Sequence, residues 1–314
     1  MFKWKKLGRV FNPADVKDTW MFEYAQAPSV VIYDKFIRVY FSSRPAPDAK
    51  GQFVSRLSFI DLDRYDLFKI VNICKEPILS LGELGTFDEF GTYPASVIKR
   101  ESEIRAYYAG WTRCESVPFN AAIGLAFSHD DGNTFERAGK GPDLAYTPHE
   151  PFVLGSPKIR QFNNTWYLWY SAGKKWLQAS PKPEPVYKIR MAHSKDGINW
   201  TKCNRDIIES TIEEDECQAS ADVFFYQGLY HMFFSYRYHL SKVYKIGYAS
   251  SVDLFNWTRN DSKAGIKVSE TGWDSEAVSY PYVFELDGKI YMFHQGNEIG
   301  RYGFGLAELE SYNQ

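Results

Sequence analysis

No run of apolar residues is long enough to cross a membrane, and the opening Met1-Phe-Lys-Trp-Lys-Lys6 leads into no apolar signal region. Neither charge dominates: 37 Lys and Arg face 39 Asp and Glu, for a net charge of −2. That balance removes any general attraction to nucleic acid or to an anionic membrane surface. Cysteine is scarce, and Cys74, Cys114, Cys203 and Cys217 show no Cys-x-x-Cys or other metal-ligand spacing. Reduced thiols in a cytoplasmic protein is the expectation that follows. His129, His149, His193 and His231 share no spacing, so no metal is assigned to them and no cofactor is expected. No shift of composition marks a linker, so residues 1–314 are expected to form a single domain.

What the chain does have is a motif repeated five times at intervals of sixty-odd residues. Each repeat opens on a Pro-x-Val-like strand followed by an aromatic strand that ends in small or polar residues. The pairs are Pro28 to Val30 with Val39 to Ser42, Pro94 to Val97 with Ala106 to Ala109, and Pro157 to Ile159 with Tyr167 to Ser171. They continue with Ala221 to Val223 with Met232 to Ser235, and Pro281 to Val283 with Tyr291 to His294. A second half carries small residues, an Asp-Gly-like turn and an aromatic, as in Ile123 to Phe135, Ile189 to Trp200 and Ile246 to Trp257. Alternating strands at a fixed period of this size predict an all-β, five-bladed β-propeller with four-stranded blades.

The fifth repeat stops after Phe304-Gly-Leu-Ala307 without its outer strand, while Phe2-Lys-Trp4-Lys-Lys6 reads like Phe255-Asn-Trp257-Thr-Arg259. Residues Phe2 to Val10 are therefore expected to close the last blade, which removes an exposed sheet edge. Asp131-Gly132 and Asp196-Gly197 are read as tight hairpin turns. The Pro181–Pro185 stretch is read as a rigid loop within blade three.

Strand directions alternate within a blade, so the loop entering strand one and the loop leaving strand two share a face. Entering loops carry Glu23, Glu89, Glu150, Glu216 and Glu276, at steps of 66, 61, 66 and 60 residues, with Asp88 and Asp274 beside two of them. Loops leaving strand two carry Arg44, Trp111, Arg237, His294 and Asn297. Acids and arginines that bind hydroxyls, with aromatic faces to cover a sugar ring, suit a polar multi-hydroxyl ligand. A turn-capping role explains any single one of these acids equally well.

The Pro-x-Val openings, Trp166-Tyr-Leu-Trp-Tyr-Ser-Ala-Gly173 and Ala192-His-Ser-Lys-Asp-Gly-Ile-Asn-Trp200 resemble the five-bladed glycosidase superfamily of arabinanases, β-xylosidases, invertases and levansucrases. Within it, Leu84 to Glu89, Trp273 to Glu276 with Tyr280 to Phe284, and Arg301 to Ala307 resemble an uncharacterised group found alongside surface-polysaccharide genes. Ser128 to Phe135 is also similar to the Asp-box fold element of sialidases. The resemblance implies a glycoside-directed activity, but the superfamily's acids do not carry over. Their places hold Ala27, Tyr93 and Gly155, before Pro28, Pro94 and Ser156-Pro157.

Two readings stay open. The first is a glycosidase-like enzyme acting on a glycan or nucleotide-linked sugar, with acids rebuilt from the entering loops. Glycosidic cleavage takes one protonated and one ionised carboxyl, for which Asp88, Glu150 and Glu276 are the candidates. Phe87, Phe90 and Tyr93 are expected to desolvate Asp88, as suits a general acid. Glu23, Arg44, Trp111, Arg237, His294 and Asn297 are the candidate substrate-binding residues. The second reading is a non-catalytic carbohydrate-binding propeller. A carbohydrate or nucleotide-sugar is the expected partner in both, with no nucleic acid and no membrane.

Overall fold

The computed structural model describes every residue except Asp18, Lys50 and Gln314. Its strands form five four-stranded antiparallel sheets arranged as a five-bladed propeller. Blade one holds β2 (Glu23–Ile32), β3 (Phe36–Arg44), β4 (Arg56–Asp63) and β5 (Ile70–Ile73). Blade two holds β6 (Thr92–Arg100), β7 (Glu103–Arg113), β8 (Phe119–Ser128) and β9 (Glu136–Arg137). In blade three they are β10 (Leu154–Phe162), β11 (Thr165–Leu177), β12 (Glu184–Ser194) and β13 (Thr201–Lys202). Blade four has β14 (Cys217–Tyr226), β15 (Leu229–Arg237), β16 (Lys245–Ser251) and β17 (Thr258–Arg259). Blade five orders β18 (Ser279–Leu286), β19 (Lys289–Gln295), β20 (Phe304–Tyr312) and then β1 (Phe2–Phe11), so the first strand of the chain closes the ring. Among the described residues no helix is long and apolar enough to cross a membrane.

The alternation read from the sequence becomes packing between sheets. Inward residues such as Trp169, Ile189 and Met191 of blade three meet Ala221, Val223 and Phe234 of blade four in one buried cluster. The Asp-Gly turns are longer than two-residue hairpins. In blade two the loop from Ser128 to Glu136 is wound around Asp130, which accepts from the Ser128 hydroxyl and from the Thr134 N–H and hydroxyl. Gly132 and Gly197 sit at φ of 84° and 73° as these turns demand. Each turn is also clasped by the blade before it: Tyr40 donates to the Gly132 carbonyl and Tyr107 to the Gly197 carbonyl.

One irregularity recurs in every blade and shapes the site. Strand one gains an extra residue relative to strand two between Gln26 and Ser29, Thr92 and Ala95, Gly155 and Lys158, Ala219 and Asp222, and Ser279 and Tyr282. Four of the bulged residues, Ala27, Ser156, Ser220 and Tyr280, hold φ between 49° and 55°. A bulge bends the strand and re-aims one side chain, which is why bulges recur beside functional sites.

Candidate functional site

The bulges place their residues around one mouth of the central channel. Tyr93, Ser156 and Tyr280 line a cavity there of about 260 Å³, together with Arg44, Trp111 and Arg237. The start of β12 completes it with Glu184 and Tyr187, and the loop between β15 and β16 with Lys242 and Tyr244. Tyr187 and Tyr244 share a short hydrogen bond between their hydroxyls, and the Arg237 guanidinium donates to Tyr187. Trp111 donates its indole N–H to the Tyr93 carbonyl and lies near-parallel to that ring, 6.2 Å away. Burial pushes the Tyr93, Tyr187 and Tyr280 phenols well above the ordinary range. They stay neutral at physiological pH, each able to donate and to accept a hydrogen bond. The wall is thus aromatic and hydroxylated, with cations at its edge.

Of the nine residues singled out in the sequence, Arg44, Trp111 and Arg237 come together in this cavity. Glu23 stands near the same rim, its carboxylate accepting from Arg301 at 2.8 Å. Asn297 is buried and folds the Gly272–Ala277 loop by accepting from the Glu276 and Ala277 N–H groups. Glu276 itself is exposed and does not line the cavity. His294 is wholly buried, stacked on Trp273 at 5.2 Å, and burial pushes its imidazole down to about 4.

Asp88 and Glu150 are placed elsewhere, without solvent exposure. Asp88 accepts from Arg137 Nε at 2.7 Å and from the Tyr108 hydroxyl at 2.9 Å, so it meets a guanidinium where the sequence suggested only aromatic rings. Glu150 accepts from the Tyr170 hydroxyl at 2.9 Å, from Arg190 at 3.3 Å and from Lys202. Two further blades repeat the arrangement, Glu216 with Arg259 at 2.6 Å and Asp274 with Lys6 at 2.5 Å. In all four the base comes from the outermost strand, so the carboxylate fastens that strand to the loop entering strand one. The equivalent acids are therefore Asp88, Glu150, Glu216 and Asp274, whereas even spacing had put Glu89 and Glu276 in the series. In blade one the places hold Met21, whose sulfur meets the Ser58 hydroxyl at 3.1 Å, and Ile73.

Sequence reasoning missed Glu184 and the tyrosines. Glu184 is the one carboxylate lining the cavity among the described residues; it accepts from Lys242 at 3.0 Å and lies 3.9 Å from Arg237. Its signal was the Pro181–Pro185 stretch, which ends in the mouth-facing start of β12. Among the described residues no three His, Cys, Asp or Glu side chains gather as a metal site needs.

Comparison with known proteins fits this geometry. No protein-family model matches the chain. The uncharacterized protein Rv1502 of Mycobacterium tuberculosis is 34% identical over 309 residues, covering 98% of this chain and 99% of that one. A β-1,2-mannobiose phosphorylase of Thermoanaerobacter is 26% identical over 145 residues, covering 43% of this chain and 45% of the enzyme. A solved glycoside hydrolase superposes with a TM-score of 0.77 at 17% identity, covering 100% of this chain and 94% of that one. A structure from a study of family-130 mannoside phosphorylases and hydrolases gives 0.72 at 13%, covering 98% and 94%. The chain thus belongs to the family of Rv1502 and has the five-bladed fold of the glycoside-hydrolase propellers.

Proposed function

We propose that the protein binds a carbohydrate at the channel mouth, with a sugar ring held between Trp111 and the phenols of Tyr93, Tyr187 and Tyr280. The observation that carries this is the lining: aromatic faces and neutral hydroxyls, with arginines at the edge, in a cavity at the centre of a glycosidase-type fold. Hydrolysis by two carboxylates has less support. It needs a pair roughly 5–9.5 Å apart across the bond, while among the described residues Glu184 is the single acid lining the cavity and Asp88 and Glu150 are closed within ion pairs. Binding is the reading that the geometry supports best.

Titration of neutral and acidic oligosaccharides against the full chain tests it. Trp111→Ala is expected to weaken binding about tenfold, as for a central aromatic anchor, with an unchanged melting temperature. Glu150→Gln is expected to leave affinity intact while lowering that temperature. A ligand indifferent to Trp111→Ala would remove the mouth from consideration.

The partial likeness to a phosphorylase favours a second reading, phosphorolysis. There an oxygen of inorganic phosphate attacks the anomeric carbon while one acid protonates the departing oxygen, so a single carboxyl suffices. Glu184 would be that acid. Incubation of bound oligosaccharides with phosphate should then release a sugar phosphate, and Glu184→Gln should abolish the release.

A further inference from the structure

The mouth cavity opens into a second, larger space. A groove of about 730 Å³ runs outward over the loops of blades one to three, and the two share Arg44, Trp111 and Phe119. Its walls carry Phe53, Phe90 and Phe119, together with Arg113 and Lys182. Trp111 and Phe119 lie 4.4 Å apart, and the Arg113 guanidinium sits 4.4 Å over the Phe90 ring. A ligand seated in the mouth therefore has a continuous path outward along half-buried aromatic rings.

The charge along that path runs against the charge of the molecule. Mouth and groove are lined by five basic side chains and two acidic ones among the described residues, in a chain whose net charge is −2. Arg44, at the junction, is the informative one. Elsewhere in the blades buried arginine side chains hold carboxylates: Arg38 with Asp61, Arg190 with Glu150 and Asp206, Arg259 with Glu216 and Asp261. Arg44 has no carboxylate within 4 Å among the described residues; one side-chain hydrogen bond reaches Gln26 at 3.3 Å, and its guanidinium lies 3.9 Å over the Tyr24 ring. Its Nε is buried and makes no hydrogen bond. A half-buried guanidinium without a counter-charge, facing a cavity, is placed to meet an anion.

We infer that the groove is a second subsite, which takes the negatively charged part of an extended carbohydrate whose neutral ring occupies the mouth. A phosphate or carboxylate on the ligand would sit against Arg44, and the continuing chain would lie along Phe90 and Phe119 toward Arg113 and Lys182. This assignment rests on the reading of the mouth as a sugar site and adds the class of ligand to it. A general nucleic-acid site is not implied, since the chain as a whole carries a net charge of −2.

The test uses matched pairs titrated against the full chain by calorimetry, at low and at physiological salt. The 1-phosphates of glucose, galactose and mannose are compared with the free sugars, and disaccharides of one neutral hexose and one glucuronic acid with their methyl esters, so that phosphate and carboxylate are separate arms. In at least one arm the charged member is expected to bind about tenfold more tightly than its neutral partner, the size of one charge-assisted contact, and the advantage is expected to shrink with salt. Arg44→Gln should abolish the advantage. The surface pair Arg113→Gln with Lys182→Gln should reduce it for the uronic-acid disaccharides, without the risk to folding that Arg44 carries. Equal binding of charged and neutral members, or a preference that survives both variants, overturns the subsite while leaving the mouth reading in place. Failure of every compound, neutral and charged, overturns both.

Discussion

At the scale of single residues, the same strand-two position holds Phe41, Tyr108, Tyr170, Phe234 and His294 in the five blades, each opposite Ser58, Gly124, Arg190, Gly247 or Gly305. Where the entering-loop partner is Asp88 or Glu150 the residue is a tyrosine that donates to it; where it is Met21 the ring is apolar. His294 takes the place without a strong partner: its Nδ1 is 3.4 Å from the Gln295 carbonyl, its Nε2 is buried without a bond, and Lys6 and Asp274 face it. Burial, reinforced by Lys6, holds the imidazole at about 4 against 6.5 in the unfolded chain. Between those values the unfolded chain binds the extra proton, so stability is fully present above pH 6.5 and is lost as pH falls toward 4. His294→Phe, copying Phe41 and Phe234, should flatten that slope. Melting temperatures at pH 7 and pH 4.5 should differ less in the variant, by about 2 kcal/mol of stability, and an unaltered difference would place the acid sensitivity elsewhere.

At the scale of the element, the recurring ion pair explains why acids recur in the entering loops. Glu150 ties β13 to the loop before β10 through Lys202, in a place that water does not reach. Removing one member of such a pair strands the other, at about 3–5 kcal/mol, whereas replacing the set by apolar groups of similar volume is often neutral. Glu150→Gln should therefore lower the melting temperature sharply. The triple variant Glu150→Met, Tyr170→Phe, Lys202→Ile, which transplants the pattern of blade one's Met21, Phe41 and Ile73, should recover most of the loss in thermal melts; a triple variant weaker than the single one would refute the equivalence. These elements also mark how far the sequence could be read. Period-two strands and Asp-Gly turns are local patterns, so five blades and the closing strand were legible in it. The acids were visible too, but their burial depends on Arg137, Lys202, Arg259 and Lys6, tens to hundreds of residues away, and entering loops of unequal length shifted the series from Asp88 to Glu89 and from Asp274 to Glu276. Arg44, Trp111 and Arg237 were legible because they end strand two, whose exit faces the mouth. Glu184, Tyr187 and Tyr244 enter from the strand-three side, in hairpins of different lengths, where alignment of the repeats gives no register.

At the scale of the whole molecule, everything at the mouth depends on the ring being closed, because the cavity is walled by residues of all five blades, from Arg44 in the first to Tyr280 in the last. Closure is made by β1 against β20, a ladder running from Phe2 opposite Tyr312 to Phe11 opposite Phe304. The strand also crosses into neighbouring blades: Phe2 is fully buried, with its ring 5.0 Å from Phe233 of blade four, and the Trp4 indole donates to the Ala264 carbonyl. Lys6 supplies the base that Asp274 needs, and Phe11 packs at 5.1 Å against Phe41 of blade one. Removing Phe2–Phe11 would at once expose the β20 edge, strand a buried carboxylate and open the seams on both sides of blade five. The truncated chain is expected to be insoluble or to melt far below the intact one, and any soluble fraction should lose protection from amide exchange first in β18 to β20. Supplying residues 1–12 as a separate peptide should restore that protection in proportion to its concentration, as a ligand of the folded state does. A truncation that kept the original melting temperature would mean that the ring is held by blades one to four alone, and that the N-terminal strand covers an edge without closing anything.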